Sequence, residues 1–584
     1  MCSLVQVNGQ EHSIHIDAQL DDTKDIIRIN QRIIFYNDSD TTLTHIYLHN
    51  WANGYKNNKA PLAKRLIEDY DKSLHFANQK DRGFTTIKNL NVDYETATFS
   101  EVEDDKIDII KIVLNTPLSP KKSTTINVAY DVKIPSAKFT RYGKTKTGYH
   151  LRYWYLVPAV FKDGWKVMSN LNMDDLLTNS TNYSIKIKLP KHYFLNSNLT
   201  KLKTQEENLN EFLLSGKQRT DVLLHIDTKD DYKSFNTDKI EIKTDLYNTA
   251  IDKKLTNDIL NRQLLFIGNF LGEYPHKKLL IDEVSQAKNP IYGLNQLPNF
   301  IRPFPDVFEW DLTMLKAVTK KYIDNTLLLD KRKDYWLTDG LQTYLMMNYV
   351  AQYYPEIKLA GNISKIWGFR NFNFSKLKFN DKYPFVYQYT ARQFLDQALN
   401  TRSDSLSNFN RKIAGKYKAG LGLRYLADYI GDTIISSSFK EFYKKNKLNF
   451  AKSESFKKIV SKKTSKDINW FFDEYLTTDK KIDYTIKKAV VLNDSVYVTI
   501  KNKRNITAPV ALYGLKKKQV KFKKWLTNID STTTVAIPKN GFDRVSLNFE
   551  NSYPEFNSMD NWKKVGKNIL NKPIQFKLYK DIND

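Results

Sequence analysis

A single cysteine, Cys2, among 584 residues excludes an internal disulfide framework and any thiolate metal cluster, so the fold rests on noncovalent packing. No run of 18 apolar residues occurs, and the longest candidate, 153–161, is interrupted by Pro158, so no transmembrane helix is predicted. Histidine is scarce and unevenly placed: the nine fall at 12, 15, 45, 49, 75, 150, 192, 225 and 276, which leaves everything after His276 without an imidazole. Internal repeats and low-complexity tracts are also absent.

What is present is ordinary globular text. Apolar residues make up 41% and aromatics 13%, enough to build sizeable cores, and the length suggests about three or four domains. Lys and Arg exceed Asp and Glu by 91 to 65, giving +26, a charge that attracts acidic surfaces at long range. The excess is spread along the chain. Its densest stretch, 501–530, carries Lys516, Lys517, Lys518, Lys521, Lys523 and Lys524, and Val520 and Phe522 alternate with lysines as on a half-buried strand. No zinc-finger, helix-turn-helix or RNP-type motif accompanies the charge, so nucleic acid is not expected as a partner. The opening MCSLVQVNGQ has the small-to-apolar character of the tail of a secretory signal. A trimmed exported protein, periplasmic or outer-surface associated, is expected.

From 12 to 228 alternating runs at 27–36, 107–114, 124–130 and 183–189 predict strands. Between 250 and 476 the period changes to three or four, with amphipathic stretches at 255–271, 307–322, 337–350 and 391–399. Alternation returns at 495–500, with an apolar run at 510–515. Asp306 and Glu309 have capping-box spacing after Pro305, and Phe308, Leu312, Leu315, Thr319, Tyr322 and Ile323 form one stripe, with Asn325 as the stop.

This order of elements resembles the aminopeptidase N family of gluzincin zinc peptidases, and several strings agree. Leu271-Gly272-Glu273-Tyr274-Pro275 before the apolar 279–281 is similar to the family's F-G-x-Y-P passage. YLVPAVFKDGW, from Tyr155 to Trp165, is similar to the end of its N-terminal domain, and Trp336-Leu337-Thr338-Asp339-Gly340 to its W-L-N-E-G segment. The resemblance implies a multidomain α+β chain. Residues 1–11 would be the remnant of an export signal, 12–228 a saddle-like N-terminal β-sheet domain, and 229–480 a thermolysin-like, mostly helical domain. A small β-sandwich-like domain at 481–550 and an irregular extension at 551–584 would follow.

In that family H-E-x-x-H precedes a third ligand, Glu, by 18 residues; the imidazoles grip zinc and the first Glu activates water. With Asp339 in the third-ligand position, the motif falls on Lys316-Ala317-Val318-Thr319-Lys320. Two ammonium groups and a methyl cannot replace two imidazoles and a carboxylate. The family's substrate-gripping G-x-M-E-N resembles Gly293-Leu294-Asn295-Gln296, with Asn295 in place of the amine-binding Glu. Tyr387 matches the tyrosine that stabilises the oxyanion, although the usual Lys-Gly nearby has become Tyr389-Thr390.

The expectation is therefore a pseudo-peptidase without a cofactor that binds peptide or protein in the former groove, or serves as a scaffold in an envelope complex. Lys316 or Lys320 would pair with Asp339 in place of the ion, or lean to solvent. Tyr387 would be a packed aromatic or would still touch a ligand, and Trp154, Tyr155, Phe161 and Trp165 would be core. The spacings of His12, His15, His45 and His49 fit strand faces better than a metal site. The alternative is an active metallo-aminopeptidase, with zinc or a harder cation on a displaced site drawn from Asp339, Asp334, Glu309, Asp311 and Asp324. A third reading is a structural part that docks through its C-terminal β module and basic face.

Overall fold

The period-two text at the start of the chain becomes a hairpin: His12–Asp21 pairs antiparallel with Ile26–Tyr36, turning Ile14, Ile16 and Ala18 inward with Ile27, Ile29 and Ile33. The computed structural model describes residues 11–102, 105–205, 209–294, 302–365 and 376–566. These fall into two compact units. The first comprises the described parts of 11–294 with 305–331 and 443–452; the second comprises 302–304, the described parts of 332–442, and 453–566. The division runs within the span 229–480.

In the first unit eight strands form one sheet. Their spatial order is Thr200–Gln205, Leu209–Arg219, Thr181–Pro190, His12–Asp21, Ile26–Tyr36, Ser123–Lys133, Phe84–Val92 and Glu95–Thr96. All neighbours are antiparallel except His12–Asp21 with Thr181–Pro190. One face is solvated. The other shares a single apolar core with two four-stranded sheets built around Gly148–Arg152 and Leu43–His49. Trp154 and Tyr155 are buried in this core, with Phe161 and Trp165 packed at its margin.

A parallel β-helix-β unit follows: Glu241–Thr244, the helix Lys253–Phe270, and Lys278–Ile281 beside the first strand. Asp252 caps that helix by accepting from Leu255 N at 2.8 Å. The helix Asp306–Asp324 packs on both the Lys253–Phe270 helix and the Lys278–Ile281 strand. Its predicted stripe, Phe308 to Ile323, is buried and Asn325 is its C-cap. The predicted capping box does not form, because Pro305 occupies the N-cap and has no side-chain acceptor, which places Asp306 inside the first turn.

The second unit pairs the helices Tyr335–Tyr353 and Gly415–Ile430. Their approach depends on glycine. A Cβ on Gly420 would lie 2.5 Å from Thr343 Cγ2, and one on Gly340 would lie 3.0 Å from Ala419 Cβ. The amphipathic reading of 391–399 is corrected: the helix is Lys382–Arg392, and it stops where Phe394 takes a left-handed φ of 55°. Two sheets complete the unit. One holds Tyr484–Leu492, Ser495–Asn502 and Thr532–Pro538; the other holds Gln519–Leu526, Val510–Lys516, Arg544–Leu547 and Trp562–Lys564. The expected irregular extension thus supplies the last strand of the second sheet. Tyr425 ties helices to sheets, stacking near Trp470, Trp525 and Tyr553 and donating to Pro509 O. The lysine-rich Gln519–Leu526 is an edge strand, with Lys523 held by Asp428 and Glu550 at 2.9 and 3.0 Å.

Candidate functional site

The helix Asp306–Asp324 presents Lys316, Ala317 and Lys320 to one small cavity of about 30 Å³, walled on its other side by Ile281, Asp282, Ser285 and Ile291. That volume accommodates one or two waters and is far below the roughly 300–1,000 Å³ of a ligand pocket. Lys316 Nζ donates to Pro290 O at 2.8 Å, and Lys320 Nζ to Asp324 Oδ2 at 2.6 Å. The next residue, Lys321, lies 3.2 Å from Asp282 Oδ2. Three lysines of this helix thus meet oxygen acceptors of the same unit.

The pairing continues into a network that the sequence did not announce. Asp324 also holds Lys331 at 3.5 Å, while Asp174 holds Arg152 and Lys288, each at 2.7 Å. Arg152 reaches on to Asp221 at 2.8 Å. Lys320 acts on Asp174 as well as Asp324, so the two clusters share one field. Burial alone would raise the carboxyl of Asp324, but Lys320 and Lys331 outweigh it and hold the group well below the usual carboxylate range. Asp282 behaves alike: burial opposes, while Lys321 and then His225 draw its carboxyl down. The only readable signal was the four-residue spacing of Lys320 and Asp324; Arg152 and Asp174 come from a distant strand and bend, and Asp282 and Lys288 from the two ends of the short helix Glu283–Lys288.

This donor set does not fit zinc. Lysine nitrogens ligate only when deprotonated, and here they sit beside carboxylates and a carbonyl that favour the ammonium form. Ala317 offers no oxygen. Among the described residues no three His, Cys, Asp or Glu side chains converge as a ligand set. The acids considered for a displaced site are engaged separately: Asp311 by Arg262 and Gln263, Asp324 by Lys320, and Asp334 by Ser453 Oγ at 2.5 Å. Glu309 is buried on its own helix.

Asp339 and Tyr387 belong to the second unit. Asp339 lies 3.5 Å from Lys416 Nζ, and its main-chain carbonyl accepts from Thr343 Oγ1 at 2.8 Å. Tyr387 is buried in a cluster with Met347, Tyr383, Ala391 and Leu421. Burial first, then the negative charge of Asp396, pushes its phenol well above the ordinary range. Of the gripping segment, Gly293 has a left-handed φ of 79° and Leu294 is buried beside it; Asn295 and Gln296 lie outside the described residues. So does the leader-like 1–10.

No helix among the described residues is long and apolar enough to cross a membrane. No family model matches the chain, and no curated protein sequence matches it. Among solved structures the fold is similar to that of Legionella pneumophila aminopeptidase A, crystallised in complex with aspartic acid, with a TM-score of 0.62 and 11% identity. The likeness covers 95% of this chain and 60% of that one, so the chain spans less than two thirds of the neighbour's length. At this identity what is shared is the fold: the chain has an aminopeptidase-like architecture, sheet-rich at its N-terminal end and helical in its middle.

Proposed function

We propose that this chain is a peptidase-derived protein of the aminopeptidase N, gluzincin type that binds a peptide or protein, or scaffolds an envelope assembly, without cleaving its ligand. One observation carries the reading. On an aminopeptidase-like fold, the positions matched to the zinc motif are two lysines whose ammonium groups are held by Pro290 O and Asp324. In this reading ammonium groups stand at the positions that the sequence match assigns to the family's zinc ligands. They cross-link their surroundings electrostatically, but they supply neither a Lewis acid nor a bound hydroxide. Export to the periplasm or outer surface fits the leader-like opening.

The test combines elemental analysis with a panel of aminoacyl reporters on one preparation of the full chain. The proposal expects no stoichiometric zinc and no chelator-sensitive release of amino acids. About one zinc per chain with chelator-sensitive turnover would replace it with a working metallo-aminopeptidase.

A further inference from the structure

The solvated face of the eight-stranded sheet is not a featureless surface. It encloses a concavity of about 680 Å³. Strand register places Asn91 opposite Asn127, Asn127 opposite Arg32, Arg32 opposite His15, His15 opposite Ser184, and Ser184 opposite Ser215. This single polar row crosses six strands, roughly 24 Å at about 4.8 Å per step. Beside it Asn30 and Asn89 flank Ala129, whose methyl leaves the floor low between carboxamides.

Charged neighbours on the same face neutralise one another: Asp17 with Lys186 at 2.8 Å, Lys88 with Asp131 at 2.7 Å, and Arg28 with Asp21 at 2.9 Å. The row differs. Among the described residues, none of the side chains of Asn91, Asn127, Arg32, His15, Ser184 and Ser215 has a hydrogen-bond partner in the protein. Burial, then the charge of Arg32, holds His15 below its ordinary value, so it is a neutral donor and acceptor at pH 7. The groove therefore carries one net positive charge and a dense array of groups able both to donate and to accept.

We propose that this groove is an oligosaccharide-binding site, taking a polyhydroxylated chain that is neutral or bears an isolated carboxylate opposite Arg32. Sugar hydroxyls, like carboxamides, donate and accept together, so the row matches them group for group. Exposed Leu202 and Leu213 at one end of the groove offer apolar contact for C–H faces. A nucleic acid would meet one unpaired cation where a phosphate backbone needs several. A peptide bound by strand addition needs a free sheet edge, and the groove's central strands already spend their main-chain groups in the ladder.

The test screens the full chain against an immobilised panel of α-glucan, β-glucan, chitin, mannan and polyuronate oligosaccharides, followed by calorimetry on the strongest binder. An unstructured Ala/Ser/Thr decapeptide serves as the comparison probe. The expected result is an oligosaccharide with Kd below about 1 mM, weakened about tenfold or more by Asn127→Ala or Arg32→Ala and abolished by Ala129→Phe, which fills the floor. Thermal midpoints should stay within error for the Asn127 and Arg32 variants, whose side chains make no hydrogen bond or ion pair among the described residues. No binding across the panel, equal binding by all variants, or preference for the decapeptide would each overturn the assignment.

Discussion

Lys320 Nζ lies 2.6 Å from Asp324 Oδ2, one turn along the same helix, with the carboxylate nearly buried and the ammonium about 29% exposed. A pair between exposed partners contributes about 0–1 kcal/mol, whereas stranding a buried charge costs about 3–5 kcal/mol. Asp324 keeps Lys331 when Lys320 is removed. Lys320→Ala should therefore fall between these limits, destabilising by roughly 1–3 kcal/mol in urea denaturation at pH 7. The folded carboxyl titrates below its unfolded value of about 3.9, so the stabilisation is complete above that pH and drains away as acid is added. The difference between wild type and variant should shrink below about pH 4. A difference unchanged down to pH 2 would mean that Lys320 acts through packing and not through its charge.

The same helix allows a gain-of-function experiment. Lys316→His with Lys320→His places two imidazoles four residues apart on one helical face, a spacing that lets both reach one ion. Titration calorimetry should find about one equivalent of zinc bound by the double variant and none by the wild type. Equal uptake by both proteins would locate a metal site elsewhere and remove the basis for treating these positions as the vacated centre.

Close helix packing makes a pair of opposite predictions about glycine. At Gly420 an added Cβ would meet Thr343 at 2.5 Å, so Gly420→Ala should cost about 1–3 kcal/mol through overpacking. At Gly268, inside the Lys253–Phe270 helix, nothing lies within 4 Å, so Gly268→Ala should gain about 0.5–1 kcal/mol from backbone entropy. Thermal melts of the two variants should move in opposite directions; a shared sign would show that one of these helix environments is misjudged.

The stripe from Phe308 to Ile323 was legible because helical period depends only on residues a turn apart. The start of that helix was not, because a capping box needs an acceptor side chain at the N-cap and Pro305 has none. Near the motif-matched residues the same limit applies. The Lys320–Asp324 pair is local and could be read, whereas Lys321 with Asp282, and Arg152 with Asp174 and Asp221, exist only once strands and turns from distant text are brought together. The polar row on the large sheet was invisible for a related reason: alternation marks a solvated face, but only strand register shows that one row crosses six strands.

Lys382 offers a test of burial by itself. Its ammonium lies 3.8 Å from the Phe379 ring centroid and 5.1 Å from that of Tyr383, with no hydrogen-bond partner for Nζ among the described residues. Burial pushes it down to about 7, against an unfolded value of about 10.4. Between those values the unfolded chain holds more protons than the folded one, so this group makes stability rise with pH across the window. Below pH 7 the folded state bears the full cost of a charged amine in an apolar site, and each tenfold loss of proton affinity on folding corresponds to about 1.4 kcal/mol. Lys382→Met keeps the length of the side chain and removes the charge, and such apolar swaps cost less than about 1.5 kcal/mol in packing. The variant should therefore be more stable than wild type by about 3 kcal/mol at pH 6, with the advantage fading toward pH 10. Denaturant midpoints at pH 6, 8 and 10 would show this convergence; a constant difference, or a loss at pH 6, would mean that the rings solvate the cation well enough to keep it charged.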